Sequence, residues 1–322
     1  MYEVSRAIAF IDVICSFAAL AKKRSYSCPV LDDSTGLDIE DGRHPVVEYA
    51  LCKKGNEQFV ANDCKLKESQ KIWLITGPNM SGKSTFLRQN ALIVILAHMG
   101  SYVPAKQARI GVVDRIFSRI GSGDDLARGY STFLVEMLET AVILNQATKR
   151  SLVILDEIGR GTSTYDGIAI AWSALEYIHD NISCRTLFST HYNELTELSS
   201  KLKHLQCYTV NVKEWNGNVI FLHKVIKGVA DKSYGINVAE IAGVPKVVVR
   251  RAKEILSQLN DNNSKSSNME DLFSYHNRLE SCSEKKESEK KLKKRIIDIP
   301  LDSISPKKAL DILFELKEEA VD

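Results

Sequence analysis

One stretch constrains this chain more than any other: Gly77, Pro78, Asn79, Met80, Ser81, Gly82, Lys83, Ser84 and Thr85. It fits the phosphate-binding template G-x-x-x-x-G-K-[ST]. An apolar run at 71–76 precedes it and predicts a short buried strand, and the run 86–98 that follows predicts a helix. Because a strand, a glycine loop and a helix in succession are the context that this motif requires, a chance glycine turn is the weaker interpretation.

The residue types in this stretch suit the binding of a nucleotide. Glycines let backbone N–H groups turn inward around phosphate oxygens, and the N-terminus of the following helix adds partial positive charge. We expect Lys83 to reach the β- and γ-phosphates and the Ser84 hydroxyl to hold Mg²⁺. The stretch therefore predicts a triphosphate site that works with a magnesium ion.

A second stretch, 151–157, has four consecutive apolar residues that end in Asp156 and Glu157. This pattern is typical of a central parallel strand whose carboxyl end presents acids to a ligand. In a phosphate-loop protein, Asp156 is the natural Mg²⁺ partner and Glu157 the natural base for the attacking water. A solvated acidic turn is the alternative. A lone histidine is usually structural, but His191 ends another predicted strand and is placed to face a γ-phosphate.

The remaining patterns predict an α/β fold with a mostly parallel sheet, helices on both faces and an antiparallel hairpin at 207–226 around Asn216-Gly217. Residues 26–70 read as a small β-rich lead-in. A helix follows Thr132, capped by Ser131 or Thr132. Two short helices at 231–259 resemble a helix-turn-helix. A polar linker precedes a predicted amphipathic helix at 305–317.

The N-terminal apolar stretch, 7–21, is a candidate targeting segment. It has Asp12 in its middle, is too short to span a bilayer and has the wrong flanks for a signal peptide, so we interpret it as a helix that packs through Ile8, Ile11, Cys15 and Ala19. The net charge of +2 indicates no general affinity for nucleic acid. The 7 cysteines contain no C-x-x-C pair, which favours reduced thiols in a cytosol-like compartment. The charged run 283–295 reads as a solvated linker, with DNA contact the minority interpretation.

With these segments in order, the chain resembles the ATPase end of the MutS family of DNA mismatch-recognition proteins. The resemblance runs in one register from about residue 4 to 259. It is carried by the strings Gly-Arg-His-Pro at 42–45, Thr-Gly-Pro-Asn-Met-Ser-Gly-Lys-Ser-Thr at 76–85, Gly-Ser-Tyr-Val-Pro-Ala at 100–105, Ser-Thr-Phe-Leu-Val-Glu-Met at 131–137, Leu-Asp-Glu-Ile-Gly-Arg-Gly-Thr-Ser-Thr-Tyr-Asp-Gly at 155–167, Thr-His-Tyr at 190–192 and Lys-Ser-Tyr-Gly at 232–235.

The resemblance implies a phosphate-loop ATPase of the ABC type, whose nucleotide pocket is completed by two subunits. ATP phosphates would be bound by residues 77–85, with Lys83 among the catalytic groups, Mg²⁺ by Ser84 and Asp156, and water activated by Glu157. His191 matches a histidine that senses the γ-phosphate, and Ser131 matches a signature serine that reaches the partner's nucleotide. Phe59 and His223 match an aromatic pair that sandwiches adenine, with Val60 beside them.

The resemblance also implies a domain order: 1–25, the end of a core or lever helix; 26–230, the ATPase domain; 231–260, a helix-turn-helix dimerisation element; 261–300, a flexible linker; 301–322, an oligomerisation helix. The expected partners are a second copy of the chain, mismatched double-stranded DNA only together with the family's N-terminal domains, and MutL and the replication sliding clamp, the last through 268–273. No membrane partner is expected. The expected location is cytoplasmic and nucleoid-associated.

Two departures from the family pattern qualify these expectations. Ser81 stands where the family usually has glycine, and should fit if its φ is negative. The mismatch-binding, connector and clamp segments have no counterpart here, so we expect ATP hydrolysis but no mismatch recognition by this chain alone; whether it is a natural fragment or a split gene product stays open. A catalytically idle assembly module of the same family is the alternative function. A transporter-type or chromosome-maintenance ATPase fits less well, because a Leu-Ser-Gly-Gly-Gln signature is missing.

Overall fold

The computed structural model describes residues 1–55, 58–120, 131–215, 218–230 and 234–264. The chain divides into two units, Met1–Val244 and Pro245–Asp322. The strands described are β1 Val30–Asp32, β2 Leu37–Gly42, β3 Asn62–Leu66, β4 Ile72–Thr76, β5 Gln107–Gly111, β6 Ile116–Arg119, β7 Leu152–Asp156, β8 Arg185–Ser189, β9 Leu205–Trp215 and β10 Asn218–Lys227. The helices are α1 Tyr2–Arg24, α2 Pro45–Lys54, α3 Lys83–His98, α4 Thr132–Gln146, α5 Thr164–Tyr177, α6 Leu198–Lys201, α7 Gly235–Ile241 and α8 Lys246–Ser264.

A six-stranded sheet of order β10-β9-β4-β8-β7-β6 forms the centre of the first unit. All neighbouring pairs are parallel except β9 and β10, which form the predicted antiparallel hairpin. Its inner strands are continuous apolar runs because both faces are covered: all five residues of β4 are buried. The predicted strand at 71–76 and helix at 86–98 are confirmed, and the flanking helices make this a mixed α/β fold.

A four-stranded sheet of order β1-β5-β2-β3 lies beside it and contains most of the predicted lead-in. The strands of β2 and β3 alternate between buried and more exposed positions, as expected for a sheet covered on one face. One apolar core joins the two sheets, since Ile39 and Leu66 belong to the same buried cluster as Trp73 and Leu87. The lead-in also contains α2, which the prediction of a β-rich segment missed.

A single buried arginine ties the two sheets together. Arg185, the first residue of β8, is 1% exposed. Its guanidinium donates to the carbonyl oxygens of Gly36 and Gly111 at 3.2 and 2.7 Å, and to those of Val112 and Arg150. Because five N–H donors in a rigid plane suit several carbonyls at once, this one side chain links β8 to one end of the neighbouring sheet, where β2 begins and β5 ends.

The N-terminal helix departs from its prediction. α1 is 23 residues long with a mean hydropathy of 1.8 in its most apolar stretch, so the statement that this segment is too short to cross a bilayer is wrong as to length. One such helix is weak evidence for a membrane segment. The predicted packing face is exposed: Ile8 and Ile11 are 63% and 60% accessible, and only Ala21 in this helix is buried.

Several predictions fall on residues outside the described ranges. They are the polar region at 121–130, the turn at Asn216-Gly217, the peptide at 268–273, the charged run 283–295 and the tail helix at 305–317. Both predicted helices near 231–259 are present. In the first unit α7 ends before Gly243, whose φ is +85°. In the second unit α8 begins directly after Pro245, whose carbonyl accepts from the N–H groups of Val248 and Val249.

Candidate functional site

The phosphate-binding loop connects β4 to α3 through three left-handed backbone positions. Gly77, Met80 and Gly82 have φ values of +136°, +65° and +105°. The two glycines adopt this region without strain, whereas Met80 is held there despite its side chain. The result is a loop that curls over the N-terminus of α3, where free N–H groups and the helix dipole favour an anion.

Ser81 fits the loop as the sequence analysis expected. Its φ lies outside the left-handed region, and the residue is fully buried. Its hydroxyl has no hydrogen-bond partner. Its carbonyl oxygen, 2.8 Å away, accepts from His223 Nδ1. A side chain on the hairpin strand β10 therefore contacts the phosphate loop directly.

Lys83 is buried beneath the loop and aimed back at it. Its Nζ donates to the carbonyl oxygens of Gly77 and Pro78 at 2.7 and 3.0 Å and lies 3.4 Å from Glu157 Oε1. Burial lowers the pKa of Lys83, and the neighbouring Glu157 carboxylate opposes that shift. The lysine is thus a desolvated cation held at the loop opening, where a phosphate oxygen would meet it.

The two predicted acids lie together at the carboxyl end of β7. Asp156 accepts a hydrogen bond from the Ser189 hydroxyl on the adjacent strand β8. Glu157 has a left-handed φ of +57°, and its N–H donates to the Ser189 carbonyl oxygen. Its Oε2 forms an ion pair of 2.5 Å with Arg160. The backbone turn thus directs Glu157 toward Lys83, away from the direction of the strand.

Asp156, Glu157 and Arg160 border one cavity of about 390 Å³. The cavity lining includes three arginines and three acids. Its residues are Ser84, Arg88, Arg119, Thr132, Glu136, Asp156, Glu157, Arg160 and Gly161. The structure therefore brings together Ser84 and Asp156, the two predicted magnesium ligands. Within the described ranges no cluster of three or more His, Cys, Asp or Glu side chains is found.

Glu136 is a buried site residue that the sequence analysis missed. This α4 carboxylate accepts from the Gly159 N–H at 2.5 Å and lies 3.6 Å from the Arg119 guanidinium. The Gly159 carbonyl oxygen in turn accepts from the Tyr192 hydroxyl at 2.9 Å. The loop after Glu157 is therefore held from both sides. No local motif indicates such contacts, because they join residues that are 17 to 33 positions apart in the sequence.

His191 lies two residues beyond the end of β8, so the predicted strand is shorter than expected there. Its ring packs at a tilt against the ring of Tyr192, with centroids 4.0 Å apart. Partial desolvation lowers the pKa of His191, and the Arg160 charge adds to the effect. A neutral imidazole at neutral pH follows, which can donate one hydrogen bond to a phosphate.

Ser131 is the N-cap of α4, as the sequence predicted. Its hydroxyl accepts from the Leu134 N–H at 3.2 Å. The adjacent Thr132 lines the cavity described above. The N-terminus of α4 thus lies beside the acidic loop of its own chain, and the prediction that Ser131 acts on a partner's nucleotide stays a prediction.

The predicted base-binding residues lie on two segments that hydrogen bonds join. Phe59 is half-buried and Val60 exposed, just before β3, and His223 is exposed on β10. The Asn62 amide donates to the carbonyl oxygens of both Val60 and His223. The structure therefore joins the segment of Val60 to that of His223, which contacts the phosphate loop at Ser81, although the two segments are more than 160 positions apart in the sequence.

A parallel sheet, a phosphate-binding loop over a helix N-terminus and two acids on the next strand but one define a phosphate-loop nucleotide-binding domain. Residues 73–260 match the family model MutS domain V, and residues 284–319 match the DNA mismatch repair protein MutS C-terminal region. The chain belongs to the MutS family of DNA mismatch repair proteins. Domain V of these proteins is an ABC-type ATPase domain.

Individual relatives agree with the family assignment. The DNA mismatch repair protein MutS of Zymomonas mobilis is 52% identical over 318 residues, which is 98% of this chain and 36% of the relative. Proteins of the same name from Rickettsia bellii and Rickettsia massiliae are 52% and 53% identical, over 99% and 96% of this chain. The chain spans about 36% of the length of the curated relatives that it matches.

Proposed function

We propose that this chain binds ATP with Mg²⁺ and hydrolyses it, as the motor part of a mismatch repair protein. The observation that carries the proposal is that Asp156 and Glu157 line one cavity with Ser84, while the buried Lys83 Nζ lies 3.4 Å from Glu157 Oε1. A cation for the phosphates, an oxygen ligand for a metal and a base for water are the parts that phosphoryl transfer needs.

Each group has a role that its geometry supports. Lys83 neutralises phosphate charge, and Glu157, held near it by a left-handed turn, orients and deprotonates the attacking water. Ser84 and Asp156 are oxygen donors on the same cavity, which suits a hard cation such as Mg²⁺. When bound, that ion would draw charge from the transferring phosphoryl group. His191 faces the same region as a neutral donor for the γ-phosphate.

The adenine end of the site is proposed for Phe59 and His223, with Val60 beside them. Both rings keep accessible faces, and offset stacking on a flat base requires only such faces and a suitable gap. The imidazole is fixed by its hydrogen bond to Ser81, so one ring of the proposed sandwich is anchored to the loop that would hold the phosphates.

By analogy with the named relatives, we further propose that the active unit is a homodimer in which Ser131 contacts the partner's nucleotide. The segments α7 and α8 are the proposed dimerisation element. Together with the family's N-terminal domains, nucleotide state would control binding to mismatched double-stranded DNA, with MutL and the sliding clamp as further partners.

Steady-state ATP hydrolysis across a protein concentration series tests the proposal. Specific activity that rises with concentration supports a site shared between subunits, and stimulation by a mismatched duplex would show that DNA recognition does not need the other domains. If ATP binds but is not hydrolysed at any concentration, the proposal of an active motor fails and the idle assembly module replaces it.

The variant Glu157→Ala separates binding from hydrolysis. We expect it to retain ATP affinity, lose turnover and accumulate an ATP-dependent dimer, because only the base has been removed. Sedimentation velocity with and without ATP measures the dimer. The Glu139→Ala variant, which removes a carboxylate that pairs with Arg119 outside the acidic loop, serves as the comparison. No ATP-dependent dimer in the Glu157 variant would contradict the shared site.

A further inference from the structure

Asn62 is a buried amide placed between three segments that the proposed function uses. It is the first residue of β3 and is 4% exposed. Its Nδ2 donates to the carbonyl oxygen of Val60 at 3.1 Å and to that of His223 at 2.9 Å. Its Oδ1 accepts from the Val225 N–H at 2.7 Å. Three of its four hydrogen-bonding positions are therefore used, and all three bonds go to backbone groups.

The partner segment on β10 is irregular at this point. The pairing of β10 with β9 is interrupted between Phe221 and Val225, and His223 has a left-handed φ of +53°. An interruption of this kind redirects a side chain out of the regular strand alternation. Here the amide of Asn62 donates to the His223 carbonyl oxygen and accepts from the Val225 N–H, on either side of Lys224.

A second contact supports the same junction. The Lys224 Nζ donates to the Ala61 carbonyl oxygen at 2.7 Å, so the segment 60–62 is bonded to the irregular stretch through both Lys224 and Asn62. On its other side the irregular stretch reaches the phosphate loop, through His223 Nδ1 and the Ser81 carbonyl. Asn62 thus connects the segment of Phe59 to the segment of His223, which is itself fixed to the loop.

We propose that Asn62 is a positioning residue for base binding: it sets the gap between the segments of Phe59 and His223. The proposal rests on the proposed function, in which these two rings stack on adenine. The side chain of Asn62 is buried, and its hydrogen bonds go to the backbone of these segments. Its removal should therefore weaken binding of the base and leave binding of the phosphates intact, a division that general loss of structure would not produce.

The test compares two ligands, ATP and inorganic tripolyphosphate, by isothermal titration calorimetry with the full chain. Asn62→Asp keeps the Oδ1 acceptor for Val225 but turns two donated bonds into contacts between a carboxylate and two carbonyls. We expect ATP affinity to fall about tenfold while tripolyphosphate affinity stays within about twofold of the original. Lys224→Met loosens the same junction at a half-buried position and should shift ATP affinity in the same direction by about threefold.

Asn145→Asp is the matched control. It makes the same substitution on α4 at an exposed asparagine whose amide donates to the Ala141 carbonyl oxygen, and neither affinity should change. If the folded Asn62→Asp variant and Lys224→Met both bind ATP as tightly as the unmodified chain, the inference is overturned. A parallel loss of affinity for ATP and for tripolyphosphate in these variants would overturn it as well. If the unmodified chain binds tripolyphosphate but prefers it to ATP, the base site itself is refuted, and if it binds neither, the proposed function fails first and the inference with it.

Discussion

The two sheets of this protein contribute to the site in different ways. In the six-stranded sheet the polar site residues lie at the ends of strands. The phosphate loop follows β4, Asp156 ends β7, and Ser189 ends β8 with His191 two residues beyond it. The four-stranded sheet offers no catalytic side chain, yet the start of β3 holds the other end of the proposed nucleotide site through Asn62. In the proposed site, the reactive groups therefore come from the six-stranded sheet, and one positioning residue comes from the four-stranded sheet.

The largest expected effect is a loss of affinity for both ATP and tripolyphosphate, which distinguishes a change in the six-stranded sheet from one in the four-stranded sheet. Lys83→Ala removes the buried cation at the loop opening, so ATP and tripolyphosphate should both bind about 100-fold more weakly or worse. This differs from the Asn62 variant, which should affect ATP alone. Calorimetry with both ligands measures the contrast, and Lys65→Ala, which removes an exposed ion-pair partner on β3, should bind both normally. Normal tripolyphosphate binding by Lys83→Ala would remove the assignment of the phosphate site.

A second variant attacks the joint between the sheets. Arg185→Met removes the donor to four carbonyl oxygens, one buried and three part-buried, and leaves a hole in the core, so we expect the free energy of unfolding to fall by about 3 kcal/mol. Urea denaturation followed by circular dichroism measures the change. Arg109→Met is the control, because its bond to Asp32 is an exposed ion pair worth about 1 kcal/mol or less. Similar losses for the two variants would mean that Arg185 does not join the sheets.

Gly42→Ala tests the four-stranded side at its contact with α3. A Cβ at Gly42 would lie 2.9 Å from both Ile39 Cγ2 and Gln89 Nε2 and 3.1 Å from the Asn62 carbonyl oxygen, so these groups, including the start of β3, have to shift. We expect a loss of about 1–3 kcal/mol in stability, together with weakened ATP binding and retained tripolyphosphate binding. Gly235→Ala, where nothing lies within 4 Å of the added carbon, should leave both unchanged. Unaltered ATP affinity in a destabilised Gly42 variant would separate β3 from base binding.

The smallest expected effect is a pH dependence of stability that arises from the N-terminal cap of α2. His44 caps this helix by accepting from the Val47 N–H through Nδ1, so protonation removes the cap. Burial, together with the Arg88 charge, lowers the pKa of His44. A lowered pKa in the folded state means that the unfolded chain takes up the proton first, so stability is complete above about pH 6.5 and declines as the pH falls below it.

We expect a loss of about 1 kcal/mol between pH 7.5 and pH 5.5 from this group. His44→Asn, a capping residue that does not titrate in this range, should flatten the dependence in denaturation curves measured at both pH values. An unchanged slope in that variant would place the pH dependence elsewhere.

Sequence patterns predicted the six-stranded sheet well, because its signals are local. The apolar runs of β4 and β7 are uninterrupted, and each chemical group follows its strand within a few residues. The four-stranded sheet was harder: α2 has a weak apolar pattern, and its start is marked only by His44 and Pro45. Asn62, Glu136 and Arg185 could not be found at all, since each makes its bonds to backbone atoms that are distant in sequence and carry no residue signature.

The guanidinium of Arg185 has a mechanical consequence. One planar group on β8 of the six-stranded sheet, bonded to carbonyls at one end of the four-stranded sheet, fixes the separation of the two sheets at that point. The phosphate end of the site belongs to the six-stranded sheet, and the proposed base end is held by the four-stranded sheet. Nucleotide-driven motion then has to arise in the loops, while the sheets move as one body. Paired spin labels at the exposed positions Lys65 of β3 and Ser118 of β6 should report the same separation in every nucleotide state.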